Sequence, residues 1–264
     1  MPLFRNLNGA RLVIAIALLI LAVGAVFVLI SHSGRAPTRS VNVRPGAGRP
    51  PAVQRSYALT TAKIAHWAVV VKPTRAFVRP SSSARLLTTL PRMTSDGTQN
   101  IVLVLRAVVD GSRQTWYEVR LAILPNNSIG WVARSALGRL YSVTTHLYVD
   151  LEKTTATLER RGVAVFSTTI GIGRADSPTP RGEFYVRDKL NGFHDPFYGP
   201  VAFGTSARSA VLTDWPNGGF IGVHGTDRPG VLPGRVSHGC IRMRNAAILA
   251  LDRLMPVGTP VTIS

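Results

Sequence analysis

The sequence predicts a mainly β protein: a small β-barrel, then a mixed β-sandwich with one short helix, the whole preceded by an N-terminal transmembrane helix. Three observations carry this. Residues 12–30 form an apolar run without a charge. Many short β-rich runs separated by turn residues fill the stretch from Ala65 onward. Only Asn245 to Leu254 has helical apolar spacing in the body, at Ile248, Leu249, Leu251 and Leu254, with Asn245 as its expected N-cap.

Taken in order, residues 1–11 are a short tail. The run LVIAIALLILAVGAVFVLI at 12–30 would be about 28 Å long as a helix, close to the hydrocarbon thickness of a bilayer. A cleaved leader has a shorter apolar core and a small-x-small site, and Ser31 to Arg35 offers none, so an uncleaved anchor is expected. Residues 31–62 contain Pro37, Pro45, Pro50 and Pro51 with five arginines and no apolar periodicity, the composition of a basic tether.

Charge follows this division. Of 31 Lys and Arg, 13 precede the first acid, Asp96; beyond it 18 basic residues face 13 acidic ones, so the net charge of +18 lies mainly toward the N-terminus. Such a basic tether can meet nucleic acid, anionic lipid or an anionic wall polymer, and a solvated linker is at least as strong a reading. Arg35, Arg39, Arg44 and Arg49 after the apolar run, against Arg5 and Arg11 before it, would by the positive-inside rule alone keep the body in the cytoplasm.

Within 66–138 the runs WAVVV, AFVR, LLTTL, IVLVLRAVV, WYEVRLAIL and IGWVA alternate with turns at Arg79-Pro80-Ser81, Ser95-Asp96-Gly97, Asp110-Gly111-Ser112 and Pro125-Asn126-Asn127. This is the pattern of a small barrel or sandwich, with Trp116 and Trp131 as core candidates. The order AFVRPSSSARLLTTL, TWYEVRL, IGWVARSAL resembles the bacterial Src-homology-three-like wall-associated domain.

Residues 142–264 form the second block. His146 to Leu151 and Gly162 to Ser167 read as a hairpin around a polar turn, and Ser177-Pro-Thr-Pro-Arg-Gly-Glu-Phe as a turn into a further strand. The pair Gly171 and Gly173 lacks the third glycine and following helix of a nucleotide loop. Residues 190–220, rich in Gly, Pro and aromatics, read as a lid or binding loop.

The chemistry is concentrated in two segments, Ile221-Gly-Val-His224-Gly225-Thr226 and Val236-Ser237-His238-Gly239-Cys240-Ile241-Arg242. Cys240 is the chain's one cysteine, which excludes an intramolecular disulfide framework and a multi-cysteine zinc site. A reactive cysteine needs an imidazole in reach. His238 would share its face if the segment is extended, while His224 would come from a strand end elsewhere. Gly239 leaves room for a substrate carbonyl beside backbone N–H donors of an oxyanion hole. A structural cysteine leaves the Ser-His-Gly-Cys cluster unexplained, a His224–His238–Cys240 zinc site has plausible ligand types, and a papain-like order is disfavoured because His224 precedes Cys240.

The motif His-Gly-Thr followed by Ser-His-Gly-Cys-Ile-Arg-Met-x-Asn, with Ser177-Pro-Thr-Pro-x-Gly-x-Phe and the closing Pro256-Val-Gly-Thr-Pro-Val, resembles the L,D-transpeptidase (YkuD-type) catalytic domain. The resemblance implies a mixed β-sandwich that cross-links peptidoglycan stem peptides through a Cys240 thioester. It implies His224 as general base, His238 and Gly239 at the oxyanion hole, and Arg242 orienting substrate or structure. Ser237 and Gly225 are expected beside the substrate, the Gly225 carbonyl also holding the imidazole tautomer. No cofactor, no metal and no nucleic-acid partner is expected. Such a substrate lies outside the cytoplasmic membrane, so the resemblance places the body there against the arginine count; long domains are translocated despite flanking charge. An L,D-carboxypeptidase, in which water resolves the thioester, and a wall-binding protein on a non-catalytic scaffold are the alternatives.

Overall fold

The computed structural model describes residues 55–191, 195–213 and 219–264. The chain divides into a unit of residues 1–47, which lies outside the described residues, and a unit of 48–264, to which everything below belongs. The anchor expected at 12–30 and nearly all of the tether therefore lie outside the described residues. Among the described residues no helix is long and apolar enough to cross a membrane.

The first half forms eight strands in one sheet: β1 (Arg55–Ala58), β2 (Ala65–Val70), β3 (Thr74–Phe77), β4 (Leu86–Leu90), β5 (Ile101–Val109), β6 (Thr115–Arg120), β7 (Ile129–Ala133) and β8 (Leu137–Val143). Their order is β4-β3-β7-β6-β5-β2-β8. β1 falls within the 31–62 stretch whose composition predicts a tether. The first half of β5 pairs with β2, and Arg55–Ala58 covers its second half, Arg106–Val109. All four β1 residues are exposed, so no apolar signal marks the strand.

The expected turns are present and have visible causes. Asp110 accepts from the Ser112 and Gln114 N–H groups, and its second oxygen takes the Trp116 indole N–H at 2.9 Å. Trp116 and Trp131 are both buried, packed with Phe77 and Val108. Burial of side chains of this size is the main stabilising contribution of such a layer.

The second half forms a ten-stranded sheet from β9 (Thr145–Asp150), β10 (Thr155–Arg160), β11 (Val163–Thr169), β12 (Gly171–Gly173), β13 (Gly182–Asn191), β14 (Val201–Arg208), β15 (Phe220–His224), β16 (Gly234–Ser237), β17 (Ile241–Arg242) and β18 (Pro260–Ile263). Their order is β11-β10-β9-β18-β13-β14-β15-β17-β12-β16. A single α-helix among the described residues, α1 (Asn245–Asp252), buries Ile248 and Leu251 in its core.

Three expectations are corrected. The hairpin read between His146 and Ser167 is a three-stranded meander. Its middle strand β10, TATLER, pairs with β9 on one side and β11 on the other, and Arg161 and Gly162 both take positive φ in the tight turn that follows. The loop read at 190–220 contains β14, eight residues paired to β13 and β15. Asn245 is the first helical residue rather than its N-cap; Arg244 caps the helix without a side-chain bond.

Gly171 and Gly173 are a strand of close approach, not a phosphate loop. A Cβ on Gly173 would lie 2.4 Å from the Ser177 carbonyl oxygen, and one on Gly171 would lie 2.5 Å from Leu232.

Candidate active site

β15 and β17 run parallel side by side, Val223 opposite Ile241 and His224 opposite Arg242. This pairing carries the ends of the two motif segments to one place. Gly222 and His224, two apart on a strand, face the same side. The Gly222 N–H donates to Cys240 Sγ at 3.4 Å. A Cβ on Gly222 would stand 3.8 Å from His224 Cδ2 and 3.9 Å from Cys240 Sγ, so imidazole and thiol flank the bare backbone of this glycine.

Cys240 sits on a tight turn between β16 and β17. Gly239 has φ of +117°, a conformation open to glycine. Ser237, wholly buried, staples this turn: its hydroxyl donates to the Cys240 carbonyl at 2.6 Å and accepts the Gly239 N–H at 3.1 Å. Thr179, from the Ser177-Pro-Thr-Pro loop, donates to the Gly239 carbonyl at 2.7 Å and accepts the Gly173 N–H at 2.9 Å.

His224 is 1% exposed. Its Nδ1 lies 2.6 Å from the Gly225 carbonyl oxygen, which only accepts, so Nδ1 carries the proton and Nε2 a lone pair. Nε2 is buried without a hydrogen-bond partner among the described residues. Burial pushes this imidazole down to about 4; the Gly225 carbonyl opposes that shift and the Arg242 charge adds to it. Burial pushes the Cys240 thiol up, against the Gly222 N–H and Arg242. Thiol and imidazole are therefore both neutral at rest.

The Gly225 loop is held from α1. Asn245 Oδ1 accepts the Thr226 N–H at 2.9 Å. The Tyr198 ring lies edge-on to the His224 ring at 5.0 Å, and the buried Arg242 guanidinium lies 4.3 Å over the Phe197 ring. Phe197, Tyr198, His224, His238, Cys240 and Arg242 line one cleft.

The sequence model of the YkuD L,D-transpeptidase catalytic domain matches residues 144–263. YkuD of Bacillus subtilis is 31% identical over 124 residues, 47% of this chain and 68% of YkuD. The chain belongs to the YkuD family of L,D-transpeptidases. YqjB of Bacillus subtilis is 33% identical over 115 residues, 40% of this chain and 62% of YqjB. Among solved structures, the Enterococcus faecium L,D-transpeptidase catalytic domain is 27% identical over 46% of this chain and 96% of its own, with a TM-score of 0.34.

Within this YkuD-family site the structure brings Cys240, His224, Gly239, His238 and Arg242 around one cleft or turn. Two of the residues expected beside the substrate make contacts that hold the site together. Ser237 is fully buried, and its hydroxyl is engaged on both sides, where it shapes the turn. Gly225 is also buried, packed on Gly199 and Asn245, and its carbonyl meets His224. The Gly239 N–H, expected as an oxyanion donor, is given to Ser237. Gly222, Phe197 and Tyr198 carry no sequence expectation, and Thr179 and Asn245 stand in the motifs without the contacts they make here. Thr179 stands inside the motif Ser177-Pro-Thr-Pro, and the same-face rule applied backward from His224 reaches Gly222.

Proposed function

We propose that this chain cross-links peptidoglycan stem peptides by a cysteine acyl-enzyme route, with Cys240 as nucleophile and His224 as base. The observation that carries the reading is the buried His224 Nε2 lone pair, fixed by the Gly225 carbonyl and set across Gly222 from Cys240 Sγ. Nε2 takes the thiol proton as Sγ attacks the carbonyl between the L-centre and the terminal D-residue. The C–N bond then breaks, the leaving amine takes that proton from the imidazolium, and a thioester remains. An amine of a second stem attacks it, its proton passes to Nε2, the new C–N bond forms, the C–S bond breaks and Sγ is reprotonated. Because thiol and imidazole start neutral, proton transfer accompanies attack instead of preceding it in a stored ion pair.

Within the turn the oxyanion falls to the Cys240 N–H, with His238 at the mouth of the cleft. Arg242 supplies positive charge beside the reacting carbonyl. Product masses from purified stem tetrapeptides test the reading. A dimer with loss of one terminal D-residue is expected; trimmed monomer alone would favour the L,D-carboxypeptidase.

The reading extends to the rest of the chain. Residues 66–138 act as the Src-homology-three-like wall-associated barrel, supported by the motif order and the buried Trp116 and Trp131. Residues 12–30 anchor the chain as a single pass, with 142–264 on the wall side and the basic tether of 31–62 against anionic wall polymer or lipid. A reporter active only outside the membrane, fused after Ser264, is expected to be active; an active cytoplasmic reporter at that point would reverse the orientation.

A further inference from the structure

Phe220 opens β15, half-buried, and lines the Cys240 cleft. Alternation along the strand turns Phe220, Gly222 and His224 to one face, so the ring continues the row that meets the thiol. Of the apolar residues lining the cleft, Ile221 is 2% exposed, which leaves Leu212 and Phe220 to offer apolar surface to a bound peptide.

Two guanidinium groups lie on the Phe220 ring. The Arg187 carbon is 3.8 Å from its centroid and the Arg208 carbon 5.0 Å. Sheet irregularities aim both. Arg187 is the extra residue of β13 between Val186, opposite Thr205, and Asp188, opposite Gly204. β14 runs from Gly204 to Arg208 while β15 runs only from Gly222 to Phe220, which sets Arg208 directly opposite the ring. A bulge kinks its strand and re-aims a side chain, and here two neighbouring bulges converge on one ring. Arg187 is 5% exposed, and a desolvated cation over an aromatic face is the strong form of that contact.

Both arginines are held from the first sheet. Asn126, in the loop between β6 and β7, donates its amide to the Arg208 carbonyl at 2.7 Å and accepts the Arg208 N–H at 2.9 Å. Its side chain thus pairs with the end of β14 as the backbone of a further strand would. Arg187 Nη2 faces carboxylate oxygens of Asp96, in the turn between β4 and β5, and of Asp188, each at 3.7 Å. The first sheet therefore reaches the wall of the reactive cleft by way of two arginines.

We propose that Phe220 is a binding residue for the acyl-donor stem peptide and that Asn126 of the first sheet is a positioning residue for it, acting through Arg208. The inference rests on the acyl-enzyme reading and needs only its first half-reaction. The donor is the peptide whose carbonyl must reach Sγ, so it is the donor that lies against the apolar surface of this cleft.

The full chain is assayed with a stem tetrapeptide, and release of its terminal D-residue gives kcat and donor KM. Phe220→Ala should raise KM about tenfold with kcat within about threefold of wild type, and Phe220→Leu should raise KM about threefold. Asn126→Ala should raise KM about threefold, and Asn126→Asp, which keeps the acceptor for the Arg208 N–H, should recover part of that loss. In the Phe220→Ala background Asn126→Ala should move KM by less than about 1.5-fold, because the ring through which it acts is gone. Phe220→Leu and Asn126→Asp decide if the alanine variants unfold. A donor KM unmoved by the Phe220 variants would overturn the contact. Equal KM factors for Asn126→Ala in both backgrounds would overturn the positioning role. So would a lower melting temperature and kcat with KM unchanged, the mark of a merely structural Asn126. A wild type that releases no terminal D-residue would overturn the acyl-enzyme reading itself, whereas turnover with an unmoved KM overturns this inference alone.

Discussion

Acidification offers a direct probe of the buried base. Unfolded, the His224 imidazole titrates near 6.5; folded, it is held down to about 4. Between these values the unfolded chain binds a proton that the native site refuses. Stability contributed by the neutral imidazole is therefore complete above about pH 6.5 and is lost as pH falls toward 4. At about 1.4 kcal/mol per pH unit, with partial protonation of the native form at the end, the loss comes to about 3 kcal/mol at pH 4. Carboxylates also titrate in this range, so the comparison is with His224→Asn, whose amide N–H stands where Nδ1–H meets the Gly225 carbonyl and which has no titration. Urea unfolding of both proteins from pH 7 to pH 4 measures the difference. The gap between the two free-energy curves should change by about 3 kcal/mol, to the disadvantage of wild type in acid. Parallel curves would show that His224 is neither buried nor tied as described. Turnover should survive down to about pH 5, because Nε2 remains unprotonated there.

Other perturbations act on the same site through different contacts. Ser237→Ala removes both staples of the nucleophile turn and should lower stability by about 1–3 kcal/mol, with kcat falling and substrate KM nearly unchanged; a raised KM alone would show a substrate role for Ser237. Gly222→Ala places a methyl in ordinary contact with His224 Cδ2 and Cys240 Sγ, so the melting temperature should change little while turnover drops about tenfold. A carbapenem should acylate Cys240, since a thiol that opens a peptide carbonyl also opens a strained lactam. His224→Ala should slow that acylation strongly and His238→Ala less, as read by intact mass over time; equal losses would remove the assignment of the base.

Legibility in the sequence followed physical signal strength. The Trp116 and Trp131 strands, the turn at Asp110 and the strand ending in His224 were readable because burial alternates with turn residues there. β10 was not, because only Ala156 and Leu158 of TATLER are buried, and the polar residues between them look like a turn. β14 was hidden among the glycines, prolines and aromatics of 190–220, although six of its residues are buried: Val201, Ala202, Phe203, Thr205, Ser206 and Ala207. In the site, Cys240 and His224 announced themselves by residue type and spacing. The turn-forming bonds of Ser237 were not legible, because adjacency in sequence says nothing about which way a side chain turns. Thr179 and Asn245 stand inside the motifs, but their roles were not legible: their hydrogen-bond partners, Gly239 and Thr226, lie 60 and 19 positions away along the chain, and only the fold brings each pair together.

The central claim is that Cys240 carries the acyl group. Its most direct test is rapid acid quenching of wild type and Cys240→Ala during turnover of a stem tetrapeptide, followed by intact-mass analysis and peptide mapping. The account predicts a covalent adduct of the stem peptide, less its terminal D-residue, on Cys240 of the wild type, and neither adduct nor dimer from Cys240→Ala. An adduct on another residue, or cross-linked product from Cys240→Ala, would contradict it.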